Sequence, residues 1–198
     1  MWQFLQQIDI NLFFLINRDG QNVFFDFIMP VISNVKNSYI PLGLLWIYLF
    51  VKKGTKYRIV AITIIALIAA SDRISSDLLK PAFNRPRPYH QLSNVHLYDN
   101  GWSLTPALKD TIRGASISLP STHATNVFAG ALLLSYYFRK FWPIFYFIAF
   151  WVGYSRVYLG AHFPFDVIAG GIAGTLLGFG FVWIGNQAIR FFEKGSRA

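Results

Sequence analysis

The sequence predicts an all-α membrane protein, a polytopic helical bundle with about five transmembrane helices and additional N-terminal amphipathic helices. Of the 198 residues, 54% are hydrophobic and only 14% are charged, and the mean hydropathy is +0.40. This balance is too apolar for an ordinary soluble domain and is typical of an integral membrane protein. The 20 Phe, 10 Tyr and 6 Trp residues suit both helix packing and the aromatic belts at a membrane surface.

The candidate transmembrane helices are five apolar stretches, at residues 38–51, 57–79, 121–138, 141–158 and 166–190. Several are shorter than the roughly 20 residues that a perpendicular span needs, so we expect their helices to continue into the flanking polar sequence. The connections 52–56 and 139–140 are so short that the helices they join must be antiparallel. We therefore predict a single membrane-embedded domain over residues 1–198.

The N-terminal segment, residues 1–36, mixes apolar and polar residues and is interrupted at Asp19-Gly20. It has no basic n-region and no small-residue cleavage site, which argues against a signal peptide. We predict one or two amphipathic helices lying on the outer surface of the membrane. A re-entrant segment or a sixth span is the alternative.

The net charge of +9 could suggest a nucleic-acid partner, but its distribution argues against one. The basic residues form three short clusters between apolar runs: Lys52, Lys53, Lys56 and Arg58; Arg139 and Lys140; Arg190, Lys194 and Arg197. Such clusters mark the cytoplasmic ends of transmembrane helices. We therefore predict a multi-pass protein of the plasma (inner) membrane, with residues 80–120 and 155–166 on the extracytoplasmic, periplasmic face.

The last apolar stretch carries Gly170, Gly174 and Gly178, spaced by four residues. Small residues at this spacing lie on one face of a helix and allow a neighbouring helix to approach closely. We expect this neighbour to belong to the same chain, although a dimer interface is the alternative.

The longest polar connection covers residues 88–118 and contains His90 and His96. A connection of this length commonly serves as a lid or a binding element. We expect the two histidines to be loop residues, and Tyr98 and Trp102 to frame an entrance for a substrate from the membrane.

Three motifs concentrate the chemistry on the predicted outer face, and they read KPAFNRPRP, PSTH and SRVYLGAHFPFD. The cations among them are Lys80, Arg87 and Arg156, a donor set suited to a phosphate with several oxygens. Ser121 and the amides at a helix N-terminus would add neutral donors for the same anion.

The same motifs supply two histidines and a carboxylate. If a helix starts near His162, Asp166 lies one turn further on the same face and can fix the imidazole tautomer. His162 could then attack phosphorus, and His123 could protonate the leaving oxygen. Carboxylates are few and the chain has no cysteine, so no metal site is predicted.

Each of these residues also has a purely structural interpretation. Lys80 and Arg87 could be interfacial cations whose stems cover apolar surface. His162 and Asp166 could be a polar pair between helices. It is the joint occurrence of the three motifs on one predicted membrane face that favours a phosphoryl-transfer site.

In their order and spacing, the motifs resemble the signature of the type 2 phosphatidic acid phosphatase superfamily, and of its bacterial membrane lipid phosphatases. That signature is Lys, six residues, Arg-Pro; then Pro-Ser-Gly-His; then Ser-Arg, five residues, His, three residues, Asp. The resemblance covers about residues 50–185 and departs from the pattern at Thr122, where the family has glycine. A β-branched residue there would be strained if the position needs a positive φ.

The resemblance implies a role for each matching position. His162 becomes the nucleophile that forms a phosphohistidine, Asp166 its orienting partner and His123 the general acid. The phosphate pocket is then formed by the remaining motif residues, Lys80, Arg87, Ser121, Thr122 and Arg156.

The function implied is hydrolysis of a lipid phosphate or diphosphate at the outer leaflet, without a metal ion or other cofactor. Substrates such as undecaprenyl diphosphate, phosphatidylglycerophosphate or lipid A 1-phosphate fit this resemblance. A phosphatase for a small soluble phosphate is the alternative, since the superfamily includes such enzymes. A non-catalytic lipid-binding or transport protein is disfavoured because it would not need His123 and His162 together, and haloperoxidase chemistry is disfavoured in so short a membrane chain.

Overall fold

The structure, a computed structural model, describes residues 1–106 and 116–195 and is mostly helical. Its N-terminal half contains α1 (Trp2–Phe14), α2 (Val23–Ser33), α3 (Val35–Val51), α4 (Thr55–Arg73), α5 (Lys80–Phe83) and α6 (Pro88–Gln91). A two-stranded antiparallel hairpin follows, formed by β1 (His96–Tyr98) and β2 (Trp102–Leu104). The remaining elements are α7 (Thr122–Tyr137), α8 (Trp142–Tyr158) and α9 (Pro164–Gly195).

The five apolar stretches of the sequence correspond to α3, α4, α7, α8 and α9. In the described part of the chain, two helices are long and apolar enough to cross a membrane, Thr55–Phe83 and Pro164–Lys194. The first joins α4 to α5 through a π-helical stretch, Ile74–Leu79, and so extends beyond the predicted end at residue 79.

The apolar surface of α9 indicates membrane association. Its outward-facing residues are large and exposed: Ile168, Ile172, Leu176, Phe179 and Trp183. They recur every three or four residues and therefore form one continuous stripe along the helix. In water so large an apolar surface would be unfavourable, whereas lipid solvates it.

Helix α7 lies at the centre of the bundle and packs against α4, α8 and α9. The predicted glycine stripe explains its close approach to α9: a methyl group added at Gly170 would collide with Ser121 O, and one at Gly174 with Thr125 O. The prediction of packing within the chain is confirmed. This close approach brings the start of α7 against the start of α9.

The N-terminal segment is bound to the bundle more tightly than a helix lying on the surface. In α1, Asp9 and Phe13 are fully buried, while Trp2, Phe4 and Leu5 remain exposed. Asn17, in the π-helical stretch Leu15–Asp19 that follows α1, is also buried and is held by three hydrogen bonds to the rest of the chain. Its amide group donates to His96 O and Tyr158 O and accepts from His96 N, at 2.7–3.0 Å. The predicted interruption at residues 19–20 is confirmed, since that stretch ends at Asp19.

The long polar connection, residues 88–118, contains secondary structure that was not predicted from the sequence. The α6 turn and the hairpin fill much of it, with Tyr98 paired to Trp102 at the tip. Residues 107–115, also part of the predicted 88–118 loop, lie outside the described residues, as does Arg197 of the third basic cluster. Where the chain is described again, Ile117 forms a bridge with Pro86, which returns the connection to the first motif.

Candidate active site

The three motifs meet at one end of the bundle because backbone hydrogen bonds join them. Ser118 N donates to Arg85 O at 2.7 Å, which connects the segment before α7 to the first motif. Ser121 N donates to Asp166 O at 3.0 Å, which connects the second motif to the third. Residues far apart in the sequence thus become neighbours at the start of α7.

The turn that ends α8 brings His162 back toward Arg156. The amides of Ala161 and His162 both donate to Arg156 O at 3.1 Å, and Gly160 adopts a positive φ of 76°. A side chain at Gly160 would also meet His96 O at 2.9 Å, so the hairpin approaches this turn closely. The expectation that a helix starts near His162 is confirmed, since α9 begins at Pro164; His162 itself lies in the turn before it.

Asp166 is fully buried in the first turn of α9, and both of its carboxylate oxygens are hydrogen-bonded. Oδ2 accepts from Phe163 N at 2.8 Å, and Oδ1 accepts from Arg85 Nη1 at 2.9 Å. His162 Nδ1 lies 3.8 Å from Oδ2, which is adjacent but longer than a hydrogen bond. Asp166 is therefore fixed by Arg85 and the backbone, with the imidazole beside it.

Arg85 and Asp9 belong to this site, although the sequence analysis missed both. Arg85 Nη2 donates to Asp9 Oδ2 at 2.7 Å, and Asp9 Oδ1 accepts from Phe165 N at 2.9 Å. The guanidinium also lies over the Phe163 ring, 4.0 Å from its centre. Arg85 lies two residues before Arg87 in the first motif, so its position in the sequence already indicated that it could belong to the site. The sequence around Asp9 contains no such indication, because its partner Arg85 is 76 residues away.

A cluster of buried donors near His162 has no partner among the described residues. These atoms are Arg87 Nε, Arg156 Nε and Ser121 Oγ; a further buried atom without a partner, His162 Nδ1, faces Asp166 instead. Buried polar groups are normally hydrogen-bonded, and leaving one unpaired costs about 1–3 kcal/mol. Several unpaired donors in one place are explained if they serve an anion that binds there.

The charges around the cluster are mostly positive. His123, in the first turn of α7, lies within electrostatic range of His162 and of the three cations Lys80, Arg87 and Arg156. The Arg156 guanidinium is also fixed by Ser33 Oγ of α2. Two carboxylates of the site, Asp9 and Asp166, are both paired with Arg85, and Asp72 lies within electrostatic range of Lys80. The site therefore carries an excess of positive charge suited to a phosphate.

Burial, together with the positive charges of Arg156 and Arg87, lowers the pKa of His162 to about 4, while Asp166 acts in the opposite direction. The imidazole is therefore neutral near pH 7. A neutral imidazole has a free lone pair and can act as a nucleophile, which a protonated one cannot.

Thr122 adopts a helical conformation, and the non-glycine residues with positive φ are elsewhere in the described chain: Asn84, Asn94 and Asn100. The threonine thus causes none of the backbone strain that a positive φ would produce. Its hydroxyl accepts a hydrogen bond from Ser75 Oγ at 3.1 Å, which joins α7 to the π-helical stretch after α4.

Each loop histidine contacts an aromatic ring. The His96 ring stacks on Trp102 at 4.1 Å, and the His90 ring lies 4.4 Å from that of Tyr89. Within residues 1–106 and 116–195, no group of three or more His, Asp, Glu or Cys side chains is placed to hold a metal ion.

Fold and site together define a membrane-associated helical phosphatase, with histidine, arginine and lysine side chains gathered at one end of the bundle. The chain belongs to the PAP2 superfamily, whose family model matches residues 40–190. A lipid A 4'-phosphatase of Bacteroides thetaiotaomicron is 31% identical over an alignment of 192 residues, covering 94% of this chain and 81% of that protein.

Two further comparisons extend this result. An undecaprenyl-diphosphatase of Sulfolobus acidocaldarius is 28% identical over 172 residues, covering 86% of this chain and 75% of that protein. The crystal structure of Aquifex aeolicus LpxE superposes with a TM-score of 0.66 at 26% identity, over 88% of this chain and 94% of that one. The family predicted from the three motifs is confirmed.

Proposed function

We propose that this protein hydrolyses the terminal phosphate of a membrane lipid through a phosphohistidine formed at His162. The observation that carries the proposal is the cluster of buried, unpaired donors around a neutral imidazole. Arg87, Arg156 and Ser121 would bind the phosphate oxygens, and Lys80 would add a further positive charge. Thr122 Oγ1 accepts a hydrogen bond from Ser75 Oγ, so its own proton remains to be donated to a phosphate oxygen at the start of α7.

The reaction begins when His162 attacks phosphorus. The attacking atom is Nε2, because Nδ1 is the nitrogen that faces Asp166. The N–P bond forms as the bond to the leaving oxygen breaks, and His123 donates a proton to that oxygen. Water then attacks the phosphohistidine, His123 takes up its proton, and His162 is released with inorganic phosphate. Arg87 and Arg156 stabilise the charge that develops on the equatorial oxygens.

Arg85 and Asp9 act in this proposal as positioning residues. Arg85 fixes Asp166 Oδ1, which leaves Oδ2 directed toward the imidazole. The 3.8 Å separation shortens to a hydrogen bond when the phosphate draws His162 into place, since catalytic contacts commonly tighten only in the substrate complex.

The proposed topology has five transmembrane helices in one membrane-embedded domain, with the active site on the periplasmic face. It is supported by the basic residues around Lys53 and Arg139, which lie at the opposite end of α4 and α7 from the motifs. The chain has no cysteine, so single-cysteine labelling is direct. In intact cells an impermeant reagent should label Asp99→Cys and should not label Lys53→Cys; the reverse pattern would refute the topology.

A lipid is the preferred substrate because exposed apolar helices place the protein in the bilayer beside its substrate. Among relatives, lipid A 4'-phosphatase and undecaprenyl-diphosphatase indicate lipid A phosphates and undecaprenyl diphosphate as the first compounds to test. Phosphatidylglycerophosphate completes the panel, and a soluble sugar phosphate represents the alternative function.

The decisive experiment measures phosphate release by the detergent-solubilised protein from each member of this panel, together with trapping of the phosphoenzyme. Turnover and phosphoenzyme should both be lost in His162→Ala. They should persist in His90→Ala, a matched control in the loop. A wild-type protein that releases phosphate only from the sugar phosphate would refute the lipid assignment. Turnover in His162→Ala would refute the phosphohistidine.

A further inference from the structure

A cavity lies at the opposite end of the bundle from the motifs, between the start of α4, the end of α7 and residues 179–189 of α9. Its volume is about 650 Å³. It is lined by a basic and polar rim and an apolar wall: Lys56, Leu132, Ser135, Tyr136, Tyr137, Arg139, Phe179, Val182, Asn186 and Ile189. Since α7 rises about 1.5 Å per residue, its residues that line the cavity lie roughly 17–24 Å along the helix from Ser121, so the cavity is separate from the catalytic site.

The polar groups of this cavity are mainly donors. Lys56 and Arg139 contribute two positive charges, and none of the described residues that line the cavity is a carboxylate. Among the described residues the Lys56 ammonium makes one hydrogen bond, a long one of 3.5 Å to Tyr137 O, so most of its donor capacity is unused. This charge balance favours an anion.

Two hydroxyl groups add neutral donors. Ser135 Oγ is buried and has no partner among the described residues. The Tyr136 hydroxyl accepts from Asn186 Nδ2 at 2.8 Å, and its own proton stays available. Asn186 is itself oriented by the Tyr137 hydroxyl, which donates to Asn186 Oδ1 at 3.2 Å. The Tyr136 hydroxyl is therefore held in place with a proton to donate.

The apolar wall distinguishes a lipid from a small ion. Leu132, Val182 and Ile189 form it, and Phe179 at its edge belongs to the exposed stripe of α9. A ligand here would meet donors at one side and a hydrocarbon surface at the other. That combination matches a phosphate head group with its acyl chains along α9, and basic pockets between helices are known to bind such head groups.

We propose that this cavity binds the head group of an anionic phospholipid, at a site distinct from the catalytic one. Lys56 and Arg139 pair with the phosphate, Ser135 and Tyr136 donate hydrogen bonds to it, and the acyl chains follow α9. The proposal does not depend on the proposed reaction, since none of these residues takes part in it.

The test measures lipid retention by native mass spectrometry and melting temperature in a neutral detergent. The added probes are phosphatidylglycerol, phosphatidylcholine and inorganic phosphate. Phosphatidylglycerol should be retained and should raise the melting temperature. Lys56→Gln and Arg139→Gln should each weaken its binding about five-fold, equivalent to about 1 kcal/mol per charge. Lys53→Gln and Lys140→Gln, neighbouring cations outside the cavity, should bind like the wild type.

A phospholipid phosphate could also enter the catalytic site, so the diagnostic result is the difference between the two pairs of variants. Equal weakening in both pairs would mean a diffuse basic surface and would overturn the proposal. Equal retention of phosphatidylcholine and phosphatidylglycerol would overturn the anion specificity. Stabilisation by inorganic phosphate as strong as that by phosphatidylglycerol would overturn the lipid assignment. Hydrolysis of an aryl phosphate at the wild-type rate would show that each variant is folded.

Discussion

The Arg85 side chain offers the sharpest test of how the site is organised. It joins Asp9 at 2.7 Å and Asp166 at 2.9 Å, and both carboxylates are at most 1% exposed. In Arg85→Met, two buried carboxylates lose their counter-charge. Breaking a buried ion pair from one side costs about 3–5 kcal/mol. At about 2–4 °C per kcal/mol for a chain of this size, the melting temperature in detergent should fall by roughly 6–20 °C.

The kinetic consequence follows from the position of Arg85 behind Asp166. Because the Arg85 guanidinium is occupied by two carboxylates, its loss should lower kcat and leave KM for an aryl phosphate nearly unchanged. Arg87→Met should instead raise KM, because the Arg87 Nε is one of the unpaired donors. Arg85→Lys should restore part of the activity by keeping the charge without the two-armed geometry.

A double variant tests the coupling directly. Asp9→Asn removes one of the two buried charges, so Arg85→Met should cost less stability in that background than alone, by about 0.5–3 kcal/mol. Arg73→Met is the matched control, since its pair with Asp77 is 3.4 Å long and both side chains are mostly exposed. An Arg85→Met protein with unchanged melting temperature and unchanged kcat would refute the positioning role.

Three further predictions concern the chemistry. Because the pKa of His162 is about 4, the unfolded chain binds a proton between about pH 6.5 and pH 4 that the folded chain does not. Stability should therefore fall as the pH falls through this window, and melting curves of His162→Asn should lack this part of the fall. His123→Ala should slow hydrolysis of an alkyl phosphate by about 10²–10⁴-fold and of an aryl phosphate much less, measured as initial rates; equal losses would contradict its role as general acid. Phosphate release should survive excess EDTA and be inhibited by vanadate, whereas loss in chelator with recovery in magnesium would contradict the phosphohistidine mechanism.

The existence of the long helices could be predicted from the sequence because apolar runs are local signals. Their ends were harder to predict. The span predicted to end at residue 79 passes through the π-helical stretch Ile74–Leu79 into a further helical turn, Lys80–Phe83. No apolar pattern marks that continuation. The hairpin at residues 96–104 was missed for a similar reason: its strands are three residues long and depend on contacts with Asn17 and Gly160.

Among the site residues, the motif positions were predictable because their spacing along the chain is itself the signal. The contact between His162 and Asp166 was predictable only in part. Spacing by four residues placed Asp166 beside His162, but the turn before α9 leaves 3.8 Å between them. The partners that fix Asp166 required the tertiary structure, since Asp9 lies in a segment that composition alone assigns to the membrane surface.

The position of Asp9 changes what the N-terminal helix contributes to the protein. The family model begins at residue 40, so Asp9 and Asn17 lie outside the part of the chain that it matches. Yet Asp9 pairs with Arg85 and accepts from Phe165 N, while Asn17 binds the backbone of His96 and Tyr158. The N-terminal segment thus contacts the first motif, the hairpin and both sides of the turn that carries His162. An amphipathic helix that only rested on the membrane would have no reason to bury a carboxylate there, and this burial is explained by the need to balance Arg85 behind Asp166.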